Sequence, residues 1–116
     1  MSAEIQSIQA SLRSFAEERE WGQFHSPKNL AAALSVEAAE LLEHFQWLTE
    51  EQSRAIPEEK RDAIAQEIAD VLIYLLQLAD KLGIDPLDAA RNKMKLNAAK
   101  YPVDRAKGTM KKYSEI

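Results

Sequence analysis

The chain has 116 residues, of which 46% are hydrophobic and 29% charged, with a formal net charge of −4 and no cysteine. This composition is typical of a globular domain with one core, and it excludes disulfides, thiolate metal sites and cysteine nucleophiles. The negative charge argues against a nucleic-acid partner. No apolar run approaches the roughly 20 residues that span a bilayer, and the N-terminus lacks a signal-peptide layout. We therefore expect one cytoplasmic domain over residues 1–116 with no membrane partner.

The predicted elements are all helical, since three glycines and four prolines leave little room for the turns of a β-rich fold. Apolar residues recur at helical spacing in four segments. Ser26 before Pro27 and Asp85 before Pro86 predict two helix starts, and Gly83 predicts a helix end. The capping-box pair Thr49 and Gln52 predicts one short helical turn. The expected long helices cover about 2–20, 27–47, 58–82 and 86–100.

The C-terminal stretch 102–116 is polar and basic without a strong period, so we expect a solvated tail after a core of about 4–101. The second and third long helices are apolar over a wider arc than packing on one neighbour requires. Such surface in a small chain indicates burial against partner copies. The predicted fold class is an all-α, four-helix protomer that assembles into a helical-bundle homo-oligomer.

Two acidic pairs stand out on these helices. Glu37 and Glu40 on one helix, and Glu67 and Asp70 on the next, are each three residues apart and so share a helical face. Glu37 falls within the apolar stripe of its helix, and Glu67 lies close to that of the other. Carboxylates brought to a helix–helix interface cannot stay ionised without a cation, because desolvation and mutual repulsion are both costly. These four residues are therefore predicted metal ligands.

The oxygen-only ligand set favours Mg²⁺, with Mn²⁺ as a substitute. A di-iron carboxylate bundle would require a histidine three residues after a glutamate on two helices, and neither His25 nor His44 has that spacing. Because Mg²⁺ commonly binds substrate phosphates as well, the expected ligand is a nucleotide or another polyphosphate. No GxxxxGK[ST] motif is present, so the site is not a P-loop.

The motifs together resemble the MazG-like all-α nucleoside triphosphate pyrophosphohydrolases, and within them the single-domain dCTP pyrophosphatase branch. The resemblance rests on these segments in this order: EREWGQFHSPKNLAAALSVEAAELLEHFQW, EIADVLIYLLQLADKLGID and KMKLNAAKYP. It implies Mg²⁺-dependent cleavage of a triphosphate, dCTP or a modified dCTP, to a monophosphate and pyrophosphate, for nucleotide-pool cleansing. It also implies homodimers or homotetramers with active sites between protomers.

The resemblance assigns roles to particular residues. Glu37, Glu40, Glu67 and Asp70 match the family's metal ligands. Our candidate catalytic residues are Glu40 and Glu37, with Glu40 as the base that takes a proton from water. The matched substrate-binding positions are Trp21, His25, Trp47, Tyr74 and Asn97 around base and sugar, and Lys93, Lys100 and Tyr101 near the phosphates.

Departures from the family pattern are small: Glu20 where Asp is usual, Lys28 and Lys100 where Arg is common, and Ala39 where Gly is common. Lysine keeps the charge but loses the bidentate phosphate geometry of arginine. Two alternatives stay open. One is a related pyrophosphohydrolase for dUTP or another nucleotide. The other is a non-catalytic acidic helical module that docks partner proteins, which leaves the burial of Glu37 unexplained.

Overall fold

The computed structural model describes residues 2–116, and within that range it is helical, with no strand. The chain divides into two units, residues 2–84 and 85–116. The N-terminal unit contains α1 (Ala3–Glu18), a 3₁₀ turn (Gly22–Phe24), α2 (Pro27–Glu43), α3 (Glu50–Ser53) and α4 (Glu58–Leu82). The C-terminal unit contains α5 (Pro86–Lys100), α6 (Val103–Ala106) and a 3₁₀ turn (Tyr113–Glu115).

The all-helical class is confirmed, but the four-helix count is not, since residues 2–116 contain six α-helices. The two additional helices, α3 and α6, have four residues each. The helical turn predicted at Thr49 is present as α3, with both hydrogen bonds of the capping box formed. The segment predicted as a solvated tail contains α6 and the second 3₁₀ turn, and most of its residues are exposed.

The second predicted helix was too long at its C-terminus. α2 ends at Glu43 rather than near Trp47. After this point the N–H groups of His44 and Phe45 donate to carbonyls three residues earlier, Leu41 and Leu42. These shorter-range hydrogen bonds tighten the last turn and end the helix. The spacing of apolar residues does not predict where this happens.

The core of the N-terminal unit lies where α2 and α1 pack against α4. Its most deeply buried side chains are Leu30 of α2 and Leu76 of α4. Gln9 of α1 is also buried, and its Nε2 donates to the Leu76 carbonyl over 3.0 Å. This bond satisfies a polar group that would otherwise be costly inside the core.

Two helices of this unit end in the same backbone motif. At the end of α4, Gly83 adopts the left-handed conformation with φ 64°, and the Ile84 N–H donates to the Ala79 carbonyl. At the end of α1, Glu20 takes the left-handed conformation with φ 55°, and the Trp21 N–H donates to the Ala16 carbonyl. Both are Schellman ends, and the second turns the chain so that Trp21 leaves the helix axis.

No helix among residues 2–116 is both long and apolar enough to cross a membrane.

Candidate functional site

Three carboxylates meet where α2 packs against α4. Single oxygens of Glu37, Glu67 and Asp70 all lie within 4.8 Å of one another, and each side chain is half-buried. α2 supplies the first of these residues, and α4 supplies the other two from positions one turn apart. We refer to these three residues as the acidic cluster.

The carboxylates of the acidic cluster repel one another and are partly desolvated. A hydrogen bond with Glu40, together with desolvation and repulsion from Glu40, Asp70 and Glu67, raises the pKa of Glu37 to about 7. Desolvation and the charges of Glu40 and Asp70 also raise the pKa of Glu67. These carboxylates therefore resist being ionised together without a neutralising cation.

Two oxygens of the cluster have no partner. Glu37 Oε2 and Glu67 Oε2 are buried and make no hydrogen bond to any residue that the structure describes. A buried carboxylate oxygen without a donor is costly, and a cation removes that cost. Since hard divalent cations take carboxylate oxygens at short range, the cluster fits such an ion by its donor chemistry.

Glu40, predicted as a fourth ligand, lies beside the cluster rather than within it. Through hydrogen bonding and through its charge, Glu40 raises the pKa of both Glu37 and Glu67. It is not one of the three residues whose oxygens are mutually within 4.8 Å. Its roles as ligand and base stay predictions.

An aromatic pocket adjoins the acidic cluster within the N-terminal unit. Its volume is about 310 Å³, near the lower end of the range for small-molecule sites. Asp70 belongs both to this pocket and to the cluster. The residues that line it come from α1, the following turn and α4: Leu12, Phe15, Trp21, His25, Asp70, Ile73, Tyr74 and Gln77.

The pocket brings together three of the residues predicted to surround the base and sugar, namely Trp21, His25 and Tyr74. The Trp21 ring is held edge-on between two neighbours, with centroid distances of 5.7 Å to Phe15 and 6.4 Å to His25. Edge-to-face contacts of this kind favour a particular ring orientation.

Trp47 lies elsewhere. Its side chain is 87% exposed and lines a separate cavity of about 990 Å³ between the end of α2, α3 and the start of α4. His44 lines the same cavity, and its charge lowers the pKa of Glu67. His44 therefore neighbours the acidic cluster, although its spacing from Glu40 gave no sign of this in the sequence.

The remaining predicted substrate residues lie in the C-terminal unit. Lys93, Asn97 and Lys100 are exposed on α5, and Tyr101 caps that helix. Tyr101 packs edge-on against Tyr113 with centroids 6.2 Å apart, and Lys100 Nζ lies 4.9 Å from the centre of the Tyr113 ring. Their contacts with substrate stay predictions.

Sequence reasoning missed four residues of the aromatic pocket: Leu12, Phe15, Ile73 and Gln77. A signal for two of them was available. Asp70, Ile73, Tyr74 and Gln77 are spaced by three, four and seven residues, so they form one stripe of α4 that runs from the acidic cluster along the pocket.

A family model described as MazG-like matches residues 32–116. The chain belongs to the MazG-like family. Among curated proteins it is similar to dCTP pyrophosphatase 1 of Mus musculus, with 41% identity over 114 residues, covering 97% of this chain and 67% of that protein. The Homo sapiens protein of the same name is 39% identical over the same share of each chain.

The chain is also similar to a protein of known structure. The crystal structure of a pyrophosphatase from Archaeoglobus fulgidus matches with a TM-score of 0.82 and 42% identity, over 88% of this chain and 95% of that one. At this identity the likeness extends to sequence as well as fold.

Proposed function

We propose that this MazG-like chain is a Mg²⁺-dependent pyrophosphohydrolase that cleaves dCTP, or a modified dCTP, to the monophosphate and pyrophosphate. The observation that carries the proposal is the position of Asp70, which is shared by the acidic cluster and the aromatic pocket. A site for a cation and a site for a ring therefore adjoin, as binding a nucleotide requires. Relatives named dCTP pyrophosphatase 1 support the choice of substrate.

The acidic cluster would hold the metal through Glu37, Glu67 and Asp70, with Glu40 as a further ligand or as the base. When bound, Mg²⁺ offsets negative charge on the phosphates and lowers the pKa of a bound water molecule. We assign Mg²⁺ over softer ions because the donors are carboxylate oxygens, and Mn²⁺ is the expected substitute.

The protein's own residues would supply positioning and proton transfer. Glu40 accepts the proton of the attacking water. Its interaction with Glu37 keeps Glu40 at the edge of the acidic cluster, and this position favours that role. Trp21 and Tyr74 hold the base, since both rings line the pocket next to Asp70. The phosphate roles of Lys93, Lys100 and Tyr101 rest on the family resemblance alone.

We further propose that the chain works as a homo-oligomer. Four large apolar side chains form an exposed stripe on α4: Ile68, Leu72, Leu75 and Leu82, with exposed fractions of 53, 46, 43 and 52%. Contiguous apolar surface of this kind on a small protein is typical of an interface. A second copy is the occupant that the family resemblance implies.

The test is a substrate panel with product identification. Purified protein and Mg²⁺ are incubated with dCTP, 5-methyl-dCTP, dUTP, dTTP, dATP and dGTP, and products are separated by ion-exchange chromatography. We expect dCMP and pyrophosphate, with cytosine substrates preferred. Preference for dUTP would support the related-enzyme alternative, and release of dCDP with inorganic phosphate would contradict the proposed bond cleavage. No turnover of any triphosphate would favour the docking-module alternative.

A further inference from the structure

Gln77 occupies the end of the aromatic pocket away from the acidic cluster. It is half-buried on α4 and lies seven residues after Asp70. Seven residues are two helical turns, about 10.5 Å along the axis. Ile73 and Tyr74 lie between them on the same stripe. The stripe therefore runs from a carboxylate suited to a cation to an amide.

The Gln77 amide is unpaired. It makes no hydrogen bond to any of residues 2–116, whereas the amide of the buried Gln9 donates to the Leu76 carbonyl over 3.0 Å. A side-chain amide offers an acceptor and a donor side by side. Gln77 lines this pocket and also a second cavity of about 100 Å³, and its unpaired amide lies at the boundary of both.

The spacing on this stripe suits a nucleotide. With its phosphates near the acidic cluster, the base would lie farther along α4, beside Trp21 and Tyr74, whose side chains line the same pocket. Stacking on such rings binds any base and does not distinguish one from another. A polar group is needed at the edge of the base, and Gln77 lies where that edge would be.

We propose that the Gln77 amide binds the hydrogen-bonding edge of cytosine. Oε1 accepts a hydrogen bond from the 4-amino group, and Nε2 donates one to ring nitrogen N3. This assignment rests on the proposed function, and it makes Gln77 a specificity-determining residue. A site that hydrogen-bonds a substrate group discriminates against an analogue without that group, because the protein group is then left unpaired.

The test measures kcat/KM for dCTP and for the 2-pyrimidinone deoxynucleoside triphosphate, in which hydrogen replaces the 4-amino group. The wild-type protein should prefer dCTP by about 5- to 30-fold, the effect of one buried hydrogen bond. Gln77→Leu and Gln77→Met, which keep a side chain of similar length, should bring that ratio close to one. Gln6→Leu, which removes an exposed amide of α1, should keep the wild-type ratio.

The ratio separates recognition from structure. Equal loss on both substrates in the Gln77 variants, with the dCTP preference kept, would show a structural role and overturn the assignment. A wild-type protein that turns over both substrates equally well would overturn it too. If the wild-type protein hydrolyses neither triphosphate, the proposed function itself fails, and Gln77 loses its assignment with it.

Discussion

At the scale of single residues, Glu37 decides how the site responds to pH. The hydrogen bond with Glu40 and the surrounding carboxylates raise its pKa from 4.5 to about 7. Between these values the folded protein binds a proton that the unfolded chain releases. The free energy of unfolding therefore falls as pH rises through this interval, and the contribution of Glu37 is fully present only below about 4.5.

The first prediction concerns the metal-free protein. Relative to Glu37→Gln, which cannot ionise, the wild-type protein should lose stability between about pH 5 and about pH 8. The measurement is urea denaturation with a chelator present at a series of pH values. At about pH 8, added Mg²⁺ should raise the free energy of unfolding of the wild-type protein more than that of Glu37→Gln. A difference between the two proteins that does not change with pH would contradict the assignment.

The apolar periodicity predicted that the acidic residues lie at a helix–helix interface, and the structure brings Glu37, Glu67 and Asp70 together there. Glu37 lies in an apolar stripe, and in the structure its Oε2 is buried without a partner. The spacing of Gln77 from Asp70 places both on one stripe of α4, but a half-buried glutamine in a long helix does not by itself indicate a binding site. The cavity that Gln77 shares with Trp21, His25 and Asp70 becomes visible only in the structure.

At the scale of elements, the helix ends show what local sequence can and cannot specify. Gly83 was predicted to end α4, and it does so with φ 64°. Glu20 has the same left-handed role at the end of α1 with φ 55°, but glutamate gives no such signal. The sequence also did not predict that α2 ends at Glu43, because the apolar spacing continues past this residue into residues that form tight turns.

The second prediction tests the α4 end. Gly83→Ala should lower the free energy of unfolding by about 1 kcal/mol, because a Cβ disfavours the left-handed conformation. Steric contact adds nothing, since a Cβ added at this residue would have no neighbouring atom within 4 Å. Gly22 offers a matched control, with equally open space and no positive φ.

The measurement is the free energy of unfolding of both variants, obtained by chemical denaturation. Gly22→Ala should be as stable as the wild-type protein or slightly more so. Equal destabilisation by both substitutions would show that the loss arises from something other than the backbone conformation of Gly83.

At the scale of the whole molecule, the wide apolar arc of α4 predicted that this helix has more than one packing partner. In the structure, one part of that arc is buried and another part is exposed. Leu76 and Ala79 are buried in the N-terminal unit, whereas Ile68, Leu72 and Leu75 are exposed. Periodicity shows that a face is apolar but not which chain covers it.

The third prediction therefore concerns assembly. In sedimentation velocity the wild-type protein should run as a dimer or tetramer, and Leu72→Glu should dissociate it, because a charge cannot be buried unpaired at an apolar interface. Lys81→Glu, which adds negative charge at an exposed position on the opposite side of the same helix, should not. A wild-type protein that sediments as a monomer would contradict the proposed interface.

The most direct test of the central claim is the rate of dCTP hydrolysis as a function of Mg²⁺ concentration for matched variants. The wild-type protein should show saturable Mg²⁺ dependence. Glu37→Ala and Asp70→Ala should lose turnover while keeping their helical circular dichroism, because each removes a carboxylate of the acidic cluster. Glu58→Ala removes an exposed carboxylate of α4 that pairs with Arg61, and it should behave like the wild type. Mg²⁺-dependent hydrolysis that persists in both cluster variants would contradict the assignment of the acidic cluster as the metal site.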